Sequence, residues 1–210
     1  MKSKNERIQQ ILSLAPVVPV LKFDTVEDAV ETSRALVAGG LPVIEITMRT
    51  EQALDCIAAV AKQVEGAVVG AGTVLNRSMM NGAIEAGSQF LVSPGATQEL
   101  MDANSKTDIP LLPGIATPSE AMALMNEGYE FLKFFPAEQA GGASYLKSMG
   151  AVFQNLKFCP TGGLTLDKAP AYLDLKNIIC VGGSWVAPGD LIAKKDWAGI
   201  QKLAAEAAAL

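Results

Sequence analysis

Short apolar runs rich in β-branched residues recur along the chain at near-regular intervals. That recurrence constrains the fold more than any other feature. The runs begin with Val17-Val18-Pro19-Val20-Leu21, Val43-Ile44-Glu45-Ile46, Ala67-Val68-Val69-Gly70 and Gln89-Phe90-Leu91-Val92. They continue with Ile109-Pro110-Leu111-Leu112, Glu130-Phe131-Leu132-Lys133-Phe134, Leu156-Lys157-Phe158-Cys159 and Ile178-Ile179-Cys180-Val181. Each has the length of a buried strand. Their spacing is on the order of 20–26 residues, room for one strand, one helix and two short loops.

Helical patterns fill the gaps. Residues 25–38 set Val26, Ala29, Val30, Leu36 and Val37 on one stripe. Asp24 with Glu27 reads as a capped helix start, and Thr117-Pro118-Ser119-Glu120 as a stronger one. Gly39-Gly40, Gly87 and Gly128 fall where helices should stop. The N-terminal residues read as a short amphipathic helix, and Trp197 to Leu210 as an alanine-rich one. The pattern amounts to about eight βα units in one α/β domain spanning 1–210, and it predicts a (β/α)8 TIM barrel with a short N-terminal helix. The competing architecture is a doubly wound open sheet. It needs fewer strands and usually a glycine-rich fingerprint after the first, where this chain has only Lys-Phe-Asp.

The 210 residues include no histidine. This excludes a Ser-His-Asp or Cys-His hydrolase, a histidine-bound zinc and an imidazole proton shuttle. Any catalytic nucleophile, acid or base must come from the remaining side chains. The net charge of −5, without a basic stripe, argues against nucleic acid as a partner. A small phosphorylated ligand stays open, since it needs only a few amides or one cation. Cys56, Cys159 and Cys180 show no Cys-x-x-Cys spacing and read as reduced, apolar residues. No run reaches the roughly 18 apolar residues of a membrane span, and the first residues do not form a signal peptide. A cytoplasmic location is expected.

Two charged residues stand out because they interrupt apolar strands. Alternation sets Phe131, Lys133 and Phe135 on one face, and Val43, Glu45 and Thr47 on one face of another strand. In a barrel neither face of a strand meets solvent. A buried amine that gives up its proton is a nucleophile suited to Schiff-base formation with a carbonyl. A buried glutamate is the natural general acid/base where histidine is missing. The two can equally form a structural ion pair, and Lys133 can snorkel to water. Arg49, four residues after Glu45, is placed either to hold a substrate carboxylate or to sit exposed in a loop.

Two glycine turns point to an anionic substrate. Thr161-Gly162-Gly163 follows the seventh run, and Gly182-Gly183-Ser184 the eighth. Glycines let backbone N–H groups approach phosphate oxygens, and barrels often bind phosphate after strands seven and eight. Thr73 and Pro94 belong to further loops on the same rim, Gly70-Ala71-Gly72-Thr73 and Ser93-Pro94-Gly95. Met79, Met80, Met122 and Met125 read as core filler, and Trp185 as a packing residue beside the last turn.

Several segments together resemble the KDPG/KHG aldolase family. They are Glu45-Ile46-Thr47-Met48-Arg49-Thr50, Gly70-Ala71-Gly72-Thr73-Val74-Leu75, Ser93-Pro94-Gly95 and Lys133-Phe134-Phe135-Pro136-Ala137-Glu138. Phe158-Cys159-Pro160-Thr161-Gly162-Gly163 and Gly182-Gly183-Ser184-Trp185 complete the set, which runs from about Pro16 to Trp185 in order. The resemblance implies a class I aldolase, usually a homotrimer, with no metal or organic cofactor. It implies a keto-acid phosphate substrate, 2-keto-3-deoxy-6-phosphogluconate (KDPG), cleaved to pyruvate and glyceraldehyde 3-phosphate in the Entner–Doudoroff pathway. Cleavage of 4-hydroxy-2-oxoglutarate (KHG) to pyruvate and glyoxylate goes with it. It makes Lys133 the Schiff-base lysine and Glu45 the acid/base. Arg49 and Thr73 would hold the carboxylate, and Thr161, Gly162, Gly163, Gly183 and Ser184 would lie toward the phosphate. Two other functions remain open on the residues alone. One is a non-catalytic phosphate binder. The other is a metal-dependent phosphosugar enzyme, which the lack of histidine and of an acidic cluster disfavours.

Overall fold

The structure is a computed structural model that describes residues 2–210. Helix α1 (Lys4–Leu12) precedes β1 (Val17–Leu21). Strands and helices then alternate: α2 (Val26–Ala38), β2 (Val43–Thr47), α3 (Ala53–Gln63), β3 (Val68–Gly72), α4 (Arg77–Glu85), β4 (Phe90–Val92) and α5 (Gln98–Ser105). The fifth strand position is split into β5 (Leu111–Leu112) and β6 (Gly114–Ile115). There follow α6 (Pro118–Asn126), β7 (Phe131–Phe134), α7 (Gly142–Val152), β8 (Lys157–Pro160), α8 (Ala169–Leu173), β9 (Val181–Gly183), α9 (Gly189–Ala193) and α10 (Trp197–Ala208).

Every strand pairing is parallel, in the orders β5-β4-β3-β2-β1-β9 and β6-β7-β8. Isolated parallel bridges at Phe158–Ile178 and Thr161–Gly182 tie the second sheet to the β9 end of the first. Parallel strands need helical crossovers and bury both faces. The chain is therefore an α/β fold in which a curled parallel sheet carries helices on its outer side. Among the described residues no helix is long and apolar enough to cross a membrane.

Two apolar clusters occupy the two faces of the strands. On the helix side, Ile44 and Ile46 of β2 and Leu132 and Phe134 of β7 join Leu36, Ile57 and Leu146. On the inner side, Val43, Phe90 and Phe131 meet Val18, Cys159 and Cys180. Ile8 and Leu12 of α1 belong to this inner cluster, so the N-terminal helix seals one end of it. A Ser3–Glu6 capping box starts α1, and Arg7 donates to the Asp108 carbonyl to hold it there. The inner face is thus apolar at one end. Its polar residues Glu45, Thr47, Lys133 and Thr161 follow the apolar ones along their strands, toward the opposite end.

Local differences from the sequence expectation have physical reasons. The fifth run ends at Leu112 as read, but the ladder resumes at Gly114–Ile115, past Pro113, which has no N–H to donate although its carbonyl still accepts from the Lys133 N–H at 2.9 Å. The eighth run was expected at Ile178–Val181, but the ladder covers Val181–Gly183, set by pairing of Val17 with Val181. The cap of α2 is Thr25, whose hydroxyl accepts from the Asp28 N–H, rather than Asp24. The Thr117–Glu120 capping box of α6 forms as expected. Met80 is core, but Met122 and Met125 are exposed on the outer face of α6.

Candidate active site

Strand β2 delivers Glu45 and strand β7 delivers Lys133 to the inner face, where each side chain is less than a tenth exposed. Lys133 Nζ lies 3.3 Å from Glu45 Oε1. That is long for a charge-assisted bond, which normally closes to about 2.7–2.9 Å. Among the described residues no other acceptor takes a hydrogen bond from this ammonium, although it carries three donors. The Phe135 ring offers a weaker cation–π contact, 5.6 Å from Nζ to the centroid. Desolvating two charges for a loose pair gains little stability, so geometry of this kind is better explained by chemistry than by structure.

Glu45 has room to reach Lys133 because Gly72, two residues beyond its register partner Gly70 on β3, has no side chain. A Cβ there would lie 2.1 Å from Oε1 and 2.8 Å from both Cδ and Cγ. Beneath the pair, Cys159 and Cys180 are buried free thiols. The Cys180 thiol is pushed well up by hydrogen bonding with Cys159, then by burial, with the Cys159 and Glu45 charges adding to the effect. It is a poor nucleophile, consistent with a packing role.

A cavity of about 190 Å³ opens above the pair. It brings together all ten residues singled out in the sequence. Lys133 and Glu45 form part of its wall, with Arg49, Thr73 and Pro94 on one side. Thr161, Gly162, Gly163, Gly183 and Ser184 line the other. Arg49 is exposed, yet its Nε donates to Thr47 Oγ1 at 3.0 Å, and that hydroxyl donates to the Leu21 carbonyl. Thr47 therefore aims the guanidinium at the cavity. Thr73 has φ of 59°, in the left-handed region, which a β-branched residue rarely occupies. Strain of this kind persists where surrounding structure enforces it and is concentrated at functional sites.

The Gly162-Gly163 turn has φ values of 109° and 77°, which glycine adopts without penalty. The parallel Thr161–Gly182 bridge turns the Gly162 N–H toward the Gly182 carbonyl, whereas the N–H groups of Gly163 and Leu164 make no hydrogen bond to any described residue. Two free amides in sequence on a cavity wall make an anion-binding concavity. Trp185 takes the space that a side chain at Gly183 would need, so its packing fixes the second glycine turn. Val20, Thr47, Phe135, Leu164 and Gly182 also line the cavity. Strand alternation already set Thr47 on the face of Glu45 and Phe135 on the face of Lys133. Leu164 carried no signal, because it contributes through its backbone. Among the described residues no cluster of three or more Cys, Asp or Glu side chains is arranged to hold a metal.

A family model described as KDPG and KHG aldolase matches residues 8–203. The KHG/KDPG aldolase of Escherichia coli K12 is 47% identical over 99% of this chain and 97% of its own length. The 2-dehydro-3-deoxy-phosphogluconate aldolase of Zymomonas mobilis is 50% identical over 96% and 95%. Among solved structures, KDPG aldolase from Legionella pneumophila superposes with a TM-score of 0.93 at 40% identity, covering 95% of this chain and 97% of its own. That crystal structure holds pyruvate captured at low pH as a covalent carbinolamine intermediate.

Proposed function

The chain belongs to the KDPG/KHG aldolase family, and from that premise we propose that it is a class I aldolase in which Lys133 and Glu45 carry the chemistry. It cleaves KDPG to pyruvate and glyceraldehyde 3-phosphate, and KHG to pyruvate and glyoxylate. The observation that carries this reading is the loose, dry pairing of Lys133 Nζ with Glu45 Oε1 at 3.3 Å on the wall of the cavity.

The amine of Lys133 attacks the C2 carbonyl to give a carbinolamine, and loss of water leaves a protonated Schiff base. That cation is an electron sink. Glu45, as carboxylate, takes the proton of the C4 hydroxyl, directly or through one water. The C3–C4 bond breaks, its electron pair moves toward the cation to form an enamine, and the aldehyde leaves. Glu45, now protonated, returns the proton to C3. Water hydrolyses the new Schiff base and frees pyruvate.

Arg49, steadied by Thr47, and Thr73 hold the substrate carboxylate, so that the breaking bond stands in line with the π system. Pro94 walls the pyruvyl end. The amides around Gly162 and Gly163, with Thr161, Gly183 and Ser184, hold the distal phosphate. They lie away from the bond that breaks and supply remote binding energy.

The same reading takes residues 1–210 as one closed (β/α)8 domain. The bridges at Thr161–Gly182 and Phe158–Ile178, and the single run from β5 to β6, support closure. It also takes the working form as a cytoplasmic homotrimer without a metal or organic cofactor. A lactate dehydrogenase-coupled assay tests the activity: one pyruvate should appear for each KDPG consumed. Binding of KDPG without release of pyruvate would instead favour a structural Lys133–Glu45 pair in a ligand-binding protein.

A further inference from the structure

Three consecutive carbonyls behind the phosphate-end turn are tied back by the segment that follows Lys133. The Ala137 N–H donates to the Thr161 carbonyl at 2.8 Å and the Glu138 N–H to the Gly162 carbonyl at 3.1 Å. Lys168 Nζ reaches the Gly163 carbonyl at 3.4 Å. In a trans peptide the N–H points opposite to the carbonyl. Tying these carbonyls on one side turns the Gly162 N–H toward the Gly182 carbonyl of β9 and leaves the N–H groups of Gly163 and Leu164 free on the other side, where both residues line the cavity.

Lys168 alone would be a loose tether, because its side chain is nearly half exposed. Glu138 restrains it. One Glu138 carboxylate oxygen accepts from Lys168 Nζ at 2.6 Å, and the other accepts from the Tyr172 hydroxyl. Tyr172 is only 2% exposed and packed in the helix-side core, so the network is anchored to a rigid body. The stem of Glu138 also backs the turn directly. A Cβ on Gly163 would lie 2.9 Å from its Cγ and 3.0 Å from its Cβ. The bonds from Lys168 and Tyr172 hold the Glu138 carboxyl below the usual glutamate range, so it is ionised at neutral pH.

We propose that Glu138, Lys168 and Tyr172 are positioning residues that fix the Gly163 and Leu164 amides for a phosphate group, and so set the preference for phosphorylated over unphosphorylated keto acids. The proposal rests on the assignment of the phosphate end to this turn. None of the three residues lines the cavity. Their effect is confined to the remote end of the substrate. An ion pair this exposed contributes little to global stability.

The test uses Lys168→Met and Glu138→Gln in the full chain, read by KM for KDPG and by competitive inhibition with inorganic phosphate. Exchange of the methyl protons of pyruvate provides a reaction that needs Lys133 but no phosphate. Both variants should raise KM for KDPG and weaken phosphate inhibition about tenfold, the scale of one hydrogen bond to a charged group. Pyruvate exchange should keep its wild-type rate. Ser184→Ala, which alters a cavity-lining residue of the second glycine turn and leaves the Glu138–Lys168–Tyr172 network intact, separates the two levels of the reading. If it leaves phosphate inhibition unchanged, the phosphate assignment fails and the positioning role falls with it. If Ser184→Ala weakens phosphate inhibition but Lys168→Met and Glu138→Gln do not, the positioning role alone is overturned. Equal loss of KDPG cleavage and pyruvate exchange in the two network variants would also overturn it, since that is the mark of a general structural role.

Discussion

Replacing Gly72 by alanine should disable the site without altering any group that reacts. Gly72 lies outside the left-handed region, so its backbone accepts an alanine. The added Cβ would stand 2.1 Å from Glu45 Oε1, while ordinary contact begins at 3.4 Å, so the carboxylate must retreat by about 1.3 Å. Cγ and Cδ are also within 2.8 Å, so rotating the tip alone does not relieve the clash. The displaced oxygen is the one that faces Lys133 Nζ. A misplacement on the order of 1 Å costs about 10²-fold in rate, or about 2.7 kcal/mol of barrier. Overpacking of a buried site costs about 1–3 kcal/mol of stability, and each kcal/mol lowers Tm by about 2–4 °C in a chain of this size. Gly72→Ala should therefore stay folded, with a modestly lower Tm and about a hundredfold lower kcat/KM in the coupled pyruvate assay. Gly95→Ala is the control on the same rim, since a Cβ there meets nothing within 4 Å. A folded Gly72→Ala with wild-type kcat/KM, or a Gly95→Ala that loses as much, would refute the reasoning.

Two further predictions follow from local chemistry. Thr117→Ala removes the hydroxyl that caps α6 and should cost about 1 kcal/mol, or about 2–4 °C in Tm, at unchanged KM; an unaltered Tm contradicts the cap's role. Glu138, held below the usual range by its bonds from Lys168 and Tyr172, contributes stability that is present above the unfolded glutamate pKa of about 4.3 and is lost as pH falls through its lower folded value. The urea midpoint of the native chain should therefore exceed that of Glu138→Gln slightly at pH 7, as suits a partly exposed pair, with the gap closing below pH ~4; a gap independent of pH contradicts it.

Much of the architecture was legible in the sequence because parallel strands covered on both faces read as short apolar runs, and helix starts carry side-chain caps. Glu45 and Lys133 were legible because a charge in such a run has no solvent to face, and alternation assigns it a side. Other features depend on contacts that only the folded chain makes. Gly72 looks like a turn residue, and its reason is the side chain of the neighbouring strand. The left-handed Thr73 follows from its place between β3 and the Val92 carbonyl, to which Val74 N–H donates. Gly114–Ile115 pairs as a strand after Pro113 although it lies beyond the apolar run that ends at Leu112. The Glu138–Lys168–Tyr172 network joins positions 30 and 34 residues apart, beyond the reach of any local pattern. Met122 and Met125 fit a helical stripe but face outward, since hydropathy alone does not say which side of a helix meets the sheet.

Borohydride reduction in the presence of pyruvate tests the Schiff-base assignment to Lys133 most directly. The imine carbon is reduced, and the peptide containing Lys133 should carry one carboxyethyl group on its side-chain nitrogen, with activity lost in proportion. An unmodified Lys133 peptide from enzyme that was active before treatment, or the same adduct on another lysine, would contradict the account.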